Sequence, residues 1–390
     1  EPAGELDDRD SVSYFVSVGA TDRHSATAPL AELSPEPVPG RSYVLAPISG
    51  SVRDAVDERG IAGVAVDLQA EDDLGAWRVF DTFRTDADGL FEGAVPDFGS
   101  GSPACRLYVN VPGRPAAEPR PIEASDAGPY AFMMGRGGSL LLDVRDDAGV
   151  SIPSKVLLYQ DGKVVERFYT ADEPMEVPVP PGTFDVSVTR GYTYTTFQGS
   201  TSVSAEQTTD LAVTLDQVVD TSGFLSYDGH LHAGPSPDSS VLVPKRILTA
   251  AAEGLDVVVS TDHEIISDWS PGVAATGLEA WITTVIGQEV TATLPEHTNM
   301  YPVVQMPEVD MRYGIPRWYG YSLPEIFAME KERGAGLRQL NHPRGYFEMI
   351  GYDTLTGEAT LEDPTQLGFA ADAALWTFDF ELIELRNGGN

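Results

Sequence analysis

The residues best suited to chemistry are those of Asp228-Gly229-His230-Leu231-His232. The chain has six histidines, and five of them, His230, His232, His263, His297 and His342, lie beyond residue 229. His24, in a Thr/Ser/Ala-rich stretch, reads as a surface residue. On a strand, side chains alternate, so His230 and His232 share one face while Leu231 points away. Two imidazoles so placed suit a borderline divalent ion such as zinc. Glu289 adds a carboxylate able to bridge two ions, and Asp228 or Asp262 can hold an imidazole from behind. A lone histidine beside a strand is more often structural than a ligand. Five with carboxylates reverse that reading, and the number of donors anticipates two or three ions.

The elements that must position these groups are legible around them. Residues 243–253 form an amphipathic helical pattern with Pro244 in the first turn, Ile247, Leu248, Ala251 and Ala252 on one face, and Gly254 as the stop. Residues 255–260 are a continuous apolar run, expected to be a buried strand, and Thr261-Asp262-His263 follows it directly. Glu289 follows the run 281–286. Ser322-Leu-Pro-Glu325 opens a second helix through a capping box, ending at Gly334 before a strand at 336–340 and the sequence Asn341-His342-Pro343-Arg344. Strand, helix, strand in succession implies parallel pairing and an α/β unit, with the candidate ligands at the C-terminal strand ends where such folds build their sites.

Four segments are expected: residues 1–44, of no assigned structure; 45–134 and 135–220, each an all-β sandwich; and 221–390, carrying the histidines. Short strands separated by turn residues fill the two middle segments. Gly50-Ser-Val-Arg-Asp54 with Thr85-Asp-Ala-Asp-Gly-Leu-Phe91, and Pro180-Pro-Gly-Thr-Phe184, resemble the immunoglobulin-like sandwiches of carboxypeptidase regulatory-like domains. These motifs encode turns and carry no chemistry.

Charge narrows the partners. Sixty acidic against 25 basic residues give a formal charge of −35, which repels phosphate backbones and anionic lipid, so no nucleic-acid binding and no membrane insertion are expected. The single cysteine, Cys105, excludes an intrachain disulfide framework and reads as a small buried apolar residue. Acidity, few lysines and the start at Glu1 suggest a processed bacterial protein, secreted or periplasmic.

Taken in order, Asp228-Gly-His-Leu-His232, Thr261-Asp-His-Glu264, Gly287-Gln-Glu289 with His297, and Asn341-His-Pro-Arg344 resemble the successive motifs of the polymerase and histidinol phosphatase (PHP) superfamily. Together with Val218-Val-Asp220 and Ser236-Pro-Asp-Ser-Ser240 they resemble more narrowly its CehA/McbA-type branch. The resemblance implies a distorted seven-stranded (β/α) barrel and a site of two or three Zn, Mn or Fe ions. It implies as ligands His230, His232, His263, Glu289, His297 and His342, with Asp238 added. The superfamily's last motif, Asp-x-His, has no counterpart, so the barrel is expected to be incomplete at its C-terminal end, its site finished by a separate fragment or a homo-oligomeric partner.

The activity implied is metal-dependent hydrolysis, foremost of phosphoesters. Metal-bound water would be the nucleophile, Asp262 and Arg344 would take part in catalysis, and Arg344 and Arg338 would neutralise a substrate anion. Carbamate, ester or amide substrates of the CehA type are the second expectation. An amidohydrolase barrel also opens with His-x-His but needs a bridging lysine at a strand end, and of the four lysines Lys245 and Lys331 fall in helices. The contrasting expectation is a non-catalytic secreted binding or adhesion protein.

Overall fold

A computed structural model describes residues 44–71, 75–97, 104–122, 128–291, 297–309, 311–315, 318, 320–343, 352–353, 358–359, 364–367, 369–375 and 377–384. His24, most of the first expected segment and Arg344 lie outside them.

The first seven strands are β1 (Val44–Asp54), β2 (Ala65–Glu71), β3 (Trp77–Arg84), β4 (Leu90–Asp97), β5 (Cys105–Val109), β6 (Arg120–Ile122) and β7 (Tyr130–Met134). They form a sheet of order β4-β1-β7 facing one of order β3-β2-β5-β6. In β7 the burial alternates strictly, because one face of each strand lies against the opposite sheet. Val52, Val66, Leu68, Phe91, Leu107 and Phe132 fill the space between. Gly50 must be glycine: a Cβ there would lie 2.3 Å from the Tyr130 carbonyl and 2.4 Å from the Phe91 ring.

The next seven are β8 (Gly138–Asp146), β9 (Ser154–Gln160), β10 (Lys163–Thr170), β11 (Met175–Val179), β12 (Gly182–Thr189), β13 (Phe197–Val203) and β14 (Thr208–Leu215). Their sheets, β11-β8-β14 and β10-β9-β12-β13, repeat the strand order of the first unit position for position, including the parallel pairing of first and last strands. The chain is therefore multidomain, with two immunoglobulin-like β-sandwiches in series. Asp161-Gly162, at φ 50° and 74°, makes the tight β9–β10 hairpin. Arg136, between the units, joins them: its Nε donates to both Asp54 oxygens at 3.1 and 3.2 Å and its Nη2 to Asp57 at 3.0 Å, while its Nη1 donates to Glu206 of the second unit at 2.5 Å. The backbone N–H of Val56, donating to Asp54 Oδ1 at 2.9 Å, together with Arg114 and Arg136 on the same carboxylate, holds the Asp54 carboxyl well below the usual carboxylate range.

The histidine-bearing unit is built differently. Strand β15 (Tyr227–Leu231), helix α1 (Val243–Ala252), strand β16 (Val257–Ser260), helix α2 (Ser270–Thr276) and strand β17 (Thr283–Ile286) make a three-stranded parallel sheet, β15-β16-β17. After Gly287, β18 (Gln288–Val290) and β19 (Thr298–Tyr301) pair antiparallel; helix α3 (Leu323–Glu332) leads to β20 (Leu337–Leu340), also antiparallel to β19. A small ribbon, β21 (Tyr352–Asp353) with β22 (Glu358–Ala359), precedes β23 (Leu382–Ile383), which pairs parallel with β20. The capping box of α3 is present, with Ser322 N–H donating to Glu325 Oε2 at 2.8 Å, and Gly334 follows its end at φ 84°.

This arrangement corrects the barrel expectation. A (β/α) barrel needs all its strands parallel, whereas β18, β19 and β20 alternate in direction, and the described strands of the unit fall into small separate sheets. The local pattern around α1 predicted parallel strands correctly. The error was to extend that rule to α3, which connects antiparallel neighbours.

The unit is bolted to the second sandwich. Arg190, 5% exposed, donates from Nη1 to Pro153 O and to Ala251 O at the end of α1, both at 2.7 Å. Its guanidinium lies 4.7 Å from the Trp281 ring centroid, and Trp281 Nε1 donates to Asp172 at 2.9 Å. No helix of the described residues is long and apolar enough to cross a membrane.

Candidate metal centre

Glu289, at the middle of β18, is the centre of the site, and its side chain is 1% exposed. Strands β15, β16 and β20 end near it and deliver His230 with His232, His263 and His342, and His297 directly precedes β19. His230 Nε2 and His232 Nε2 both lie 3.1 Å from Glu289 Oε2, with His263 Nδ1 at 3.3 Å. His297 Nδ1 lies 3.1 Å and His342 Nε2 3.7 Å from Oε1, to which Asn341 Nδ2 also donates at 2.9 Å. The five rings close a circuit, with successive centroids 5.1, 4.6, 5.3, 4.9 and 6.1 Å apart from His230 through His232, His263, His297 and His342 back to His230.

Local sequence explains the convergence. A Cβ on Gly229 would meet the Tyr227 hydroxyl at 2.2 Å and the Tyr301 hydroxyl at 2.8 Å, so glycine lets this hydrogen-bonded tyrosine pair pack directly behind His230. A parallel bridge between His263 and Glu289 connects the segment after β16 to β18. His342 sits at φ 24°, in the left-handed region that a residue with a side chain adopts only under local constraint.

Asp238 joins at the rim. Its Oδ1 lies 3.3 Å from His232 Nδ1 and its Oδ2 3.5 Å from His263 Nε2, while Ser236 Oγ donates to Oδ1 at 2.6 Å. Three donor sets result, each with ligand atoms within 4.8 Å of one another: His230, His232 and Glu289; His232, Asp238 and His263; His263, Glu289 and His297.

The electrostatics follow from crowding. Burial alone would raise the Glu289 carboxyl, but hydrogen bonds from His230, His232, His297 and His342 outweigh it and hold the group far below the usual range. Burial would lower His230, yet its contacts with Glu289 and Glu384 push it up to about 9. His263 is lowered, first by burial and also by the neighbouring His232 and His297.

Other expected residues are placed away from reactive positions. Asp228 accepts the backbone N–H of His230 at 3.0 Å and so fixes the chain there instead of an imidazole. Asp262 is fully buried with both oxygens occupied, Oδ1 by Ala233 N–H at 2.7 Å and Oδ2 by Trp269 Nε1 at 2.9 Å and by the Ser267 hydroxyl. Its catalytic role is corrected to a structural one. Arg338, expected on a substrate anion, turns to the opposite face of the sheet from Glu289 and is held by Asp379 and Glu381, with Nη1 3.0 Å from Asp379 Oδ2 and Nε 3.2 Å from Glu381 Oε2.

Glu384, Asn299 and Thr291 are site residues that the sequence reading passed over. Glu384 Oε1 lies 3.0 Å from His230 Nδ1, Thr291 Oγ1 lies 2.8 Å from His263 Nδ1, and Asn299 Oδ1 accepts from Asn341 at 2.8 Å. Asn341 adjoins His342 in the sequence Asn341-His342-Pro343-Arg344. For Thr291, the period-two spacing from Glu289 was the available signal.

No family model matches the chain, and no curated protein matches it. Among solved structures it is similar to the Bacillus anthracis TIE protein, at 15% identity and a TM-score of 0.21, over 45% of this chain and 35% of that one. It is similar also to a streptococcal ancillary pilin (13% identity, TM-score 0.27, 44% of this chain and 62% of that one). A third is GBS52, the minor pilin of Streptococcus agalactiae (12%, TM-score 0.26, 45% and 97%). The chain thus spans less than two thirds of the first two. No comparison supports the expectation of a metal-dependent hydrolase, whether of phosphoesters or of carbamates and esters, and Asp262 and Arg338, expected to serve it, are engaged elsewhere.

Proposed function

We propose that the chain is a secreted or periplasmic bacterial binding protein, non-catalytic, in which two sandwich modules carry a unit that holds divalent metal ions around Glu289. One observation carries this reading: the Glu289 carboxylate has more suitors than it can satisfy. Its two oxygens offer about four lone-pair sites, while five imidazole nitrogens and the Asn341 amide approach within 3.7 Å. Hydrogen bonding alone leaves imidazole lone pairs facing one another or adjacent imidazolium charges in contact. A divalent ion among the nitrogens and the carboxylate removes both conflicts, and the imidazole and carboxylate donors suit Zn, Mn or Fe. His230, His232, His263, His297, Glu289 and Asp238 would hold two or three such ions.

The sandwiches fit a spacer or docking role, each being held by one apolar core cluster. The charge of −35 favours neither nucleic acid nor anionic membrane as partner.

Calorimetric titration of chelator-treated protein with Zn²⁺ or Mn²⁺ tests the reading. Saturable binding of at least one ion per chain is expected, lost in His230→Ala; absence of saturable binding contradicts it. Turnover of phosphomonoesters, aryl esters or carbamates by the loaded chain, above the His230→Ala control, would contradict the non-catalytic part.

A further inference from the structure

Glu384 is placed by a chain of contacts that begins far from the metal centre. Arg338, 5% exposed on β20, grips Asp379 and Glu381 just before β23, and its backbone N–H donates to Glu381 Oε2 at 2.8 Å. Strand β23 then runs parallel to β20, and Glu384 N–H donates to Leu340 O at 2.9 Å. This delivers the Glu384 side chain, 12% exposed, to the far side of His230 from Glu289.

Both of its oxygens are used there. Oε1 lies 3.0 Å from His230 Nδ1, and Oε2 accepts the backbone N–H of His342 at 2.8 Å. With both oxygens engaged, Glu384 is poorly placed to be a ligand itself and well placed to orient ligands. An imidazole whose Nδ1–H donates to a carboxylate presents Nε2, the more basic for that bond, to a metal. His230 Nε2 is the atom aimed at Glu289 Oε2. The second oxygen restrains His342 at its left-handed φ, which keeps its ring turned toward Glu289 Oε1.

We propose that Glu384 is the positioning residue of the metal centre: it fixes His230 as an Nε2 ligand and His342 in its constrained backbone, so that metal retention depends on the docking of β23. The proposal rests on the metal-binding reading. It makes β23 and the Arg338 latch part of the site, although neither supplies a ligand. By linkage, a bound ion strengthens the docking of β23 as much as the docking strengthens the ion.

The test compares wild type, Glu384→Ala and Glu384→Gln by Zn²⁺ titration, and follows the His230 Nδ1–H resonance in zinc-loaded, ¹⁵N-labelled protein. Loss of a carboxylate behind a ligating histidine weakens binding on the order of 10–100-fold, which is expected for Glu384→Ala together with loss of the exchange-protected Nδ1–H. Glu384→Gln keeps an acceptor for His230 but sets an amide donor against His342 N–H, so an intermediate loss with the resonance retained is expected. If Glu384→Ala fails to fold, Glu384→Gln decides: wild-type affinity in that variant would overturn the proposal. Wild type that binds zinc while Glu384→Ala binds equally, with an unchanged resonance, overturns it alone. Wild type that binds no zinc overturns the metal reading and the proposal with it.

Discussion

The sandwiches and the histidine-bearing unit spend their interiors differently. The second sandwich buries Leu140, Leu142, Val144, Val156, Leu158, Phe184 and Val186 in one apolar cluster, and complete burial of each Leu, Val or Phe side chain contributes about 1.5–3 kcal/mol. Of the nineteen buried polar or charged residues among those described, fourteen lie between Ser236 and Asn341. The sandwiches therefore stand on contacts complete within the chain. The histidine unit surrounds its buried carboxylate with groups that compete for it, and its strands are short, four residues in β16, β17, β19 and β20. A region that sacrifices apolar packing for convergent nitrogen and oxygen atoms is organised for a ligand, and its stability should respond to that ligand.

Paired substitutions sharpen this contrast most. Glu289→Ala leaves several imidazoles without their shared partner and should cost on the order of 3–5 kcal/mol in the histidine unit, together with metal binding. Leu142→Ala in the sandwich should cost about 2–5 kcal/mol and leave metal affinity unchanged. Domain-resolved denaturation with parallel zinc titration checks both. If Leu142→Ala abolished metal binding as Glu289→Ala does, the two regions would not differ as described.

A smaller effect concerns Glu330 on α3, fully buried, which accepts the Thr298 hydroxyl at 2.6 Å. Burial pushes its carboxyl up to about 8. A carboxyl raised in the folded state binds its proton more tightly there than in the unfolded chain. Its contribution is full below the unfolded value near 4.5 and is lost as pH rises through about 8. Urea midpoints measured at pH 6 and pH 9 should fall for wild type, and Glu330→Gln should flatten that fall. An equal fall in both proteins would place the pH sensitivity elsewhere.

Much of this was legible in sequence where local rules decide. The Asp161-Gly162 turn, the helix opened by Pro244 and the Ser322–Glu325 capping box are each set by a few adjacent residues. The five histidines, Glu289 and Asp238 stood out by residue type, and the structure gathers them around one point. Strand direction beyond β17 did not, because pairing of β18, β19 and β20 depends on contacts between distant segments, and the strand segment 336–340 reads alike in either direction. The Thr-Asp-His motif does not reveal the partners of Asp262: only the fold shows that Ala233, Ser267 and Trp269 occupy its oxygens. Glu384 was invisible for the same reason, since its partners His230 and His342 lie 154 and 42 residues away.

Hydrogen exchange measured on one sample with and without Zn²⁺ tests the central claim most directly. Zinc should slow exchange in β15, β18, β20 and β23, the strands that carry or support His230, Glu289, His342 and Glu384, and leave β8 to β14 unchanged. Uniform protection across both regions, or none in either, would contradict a metal centre built around Glu289.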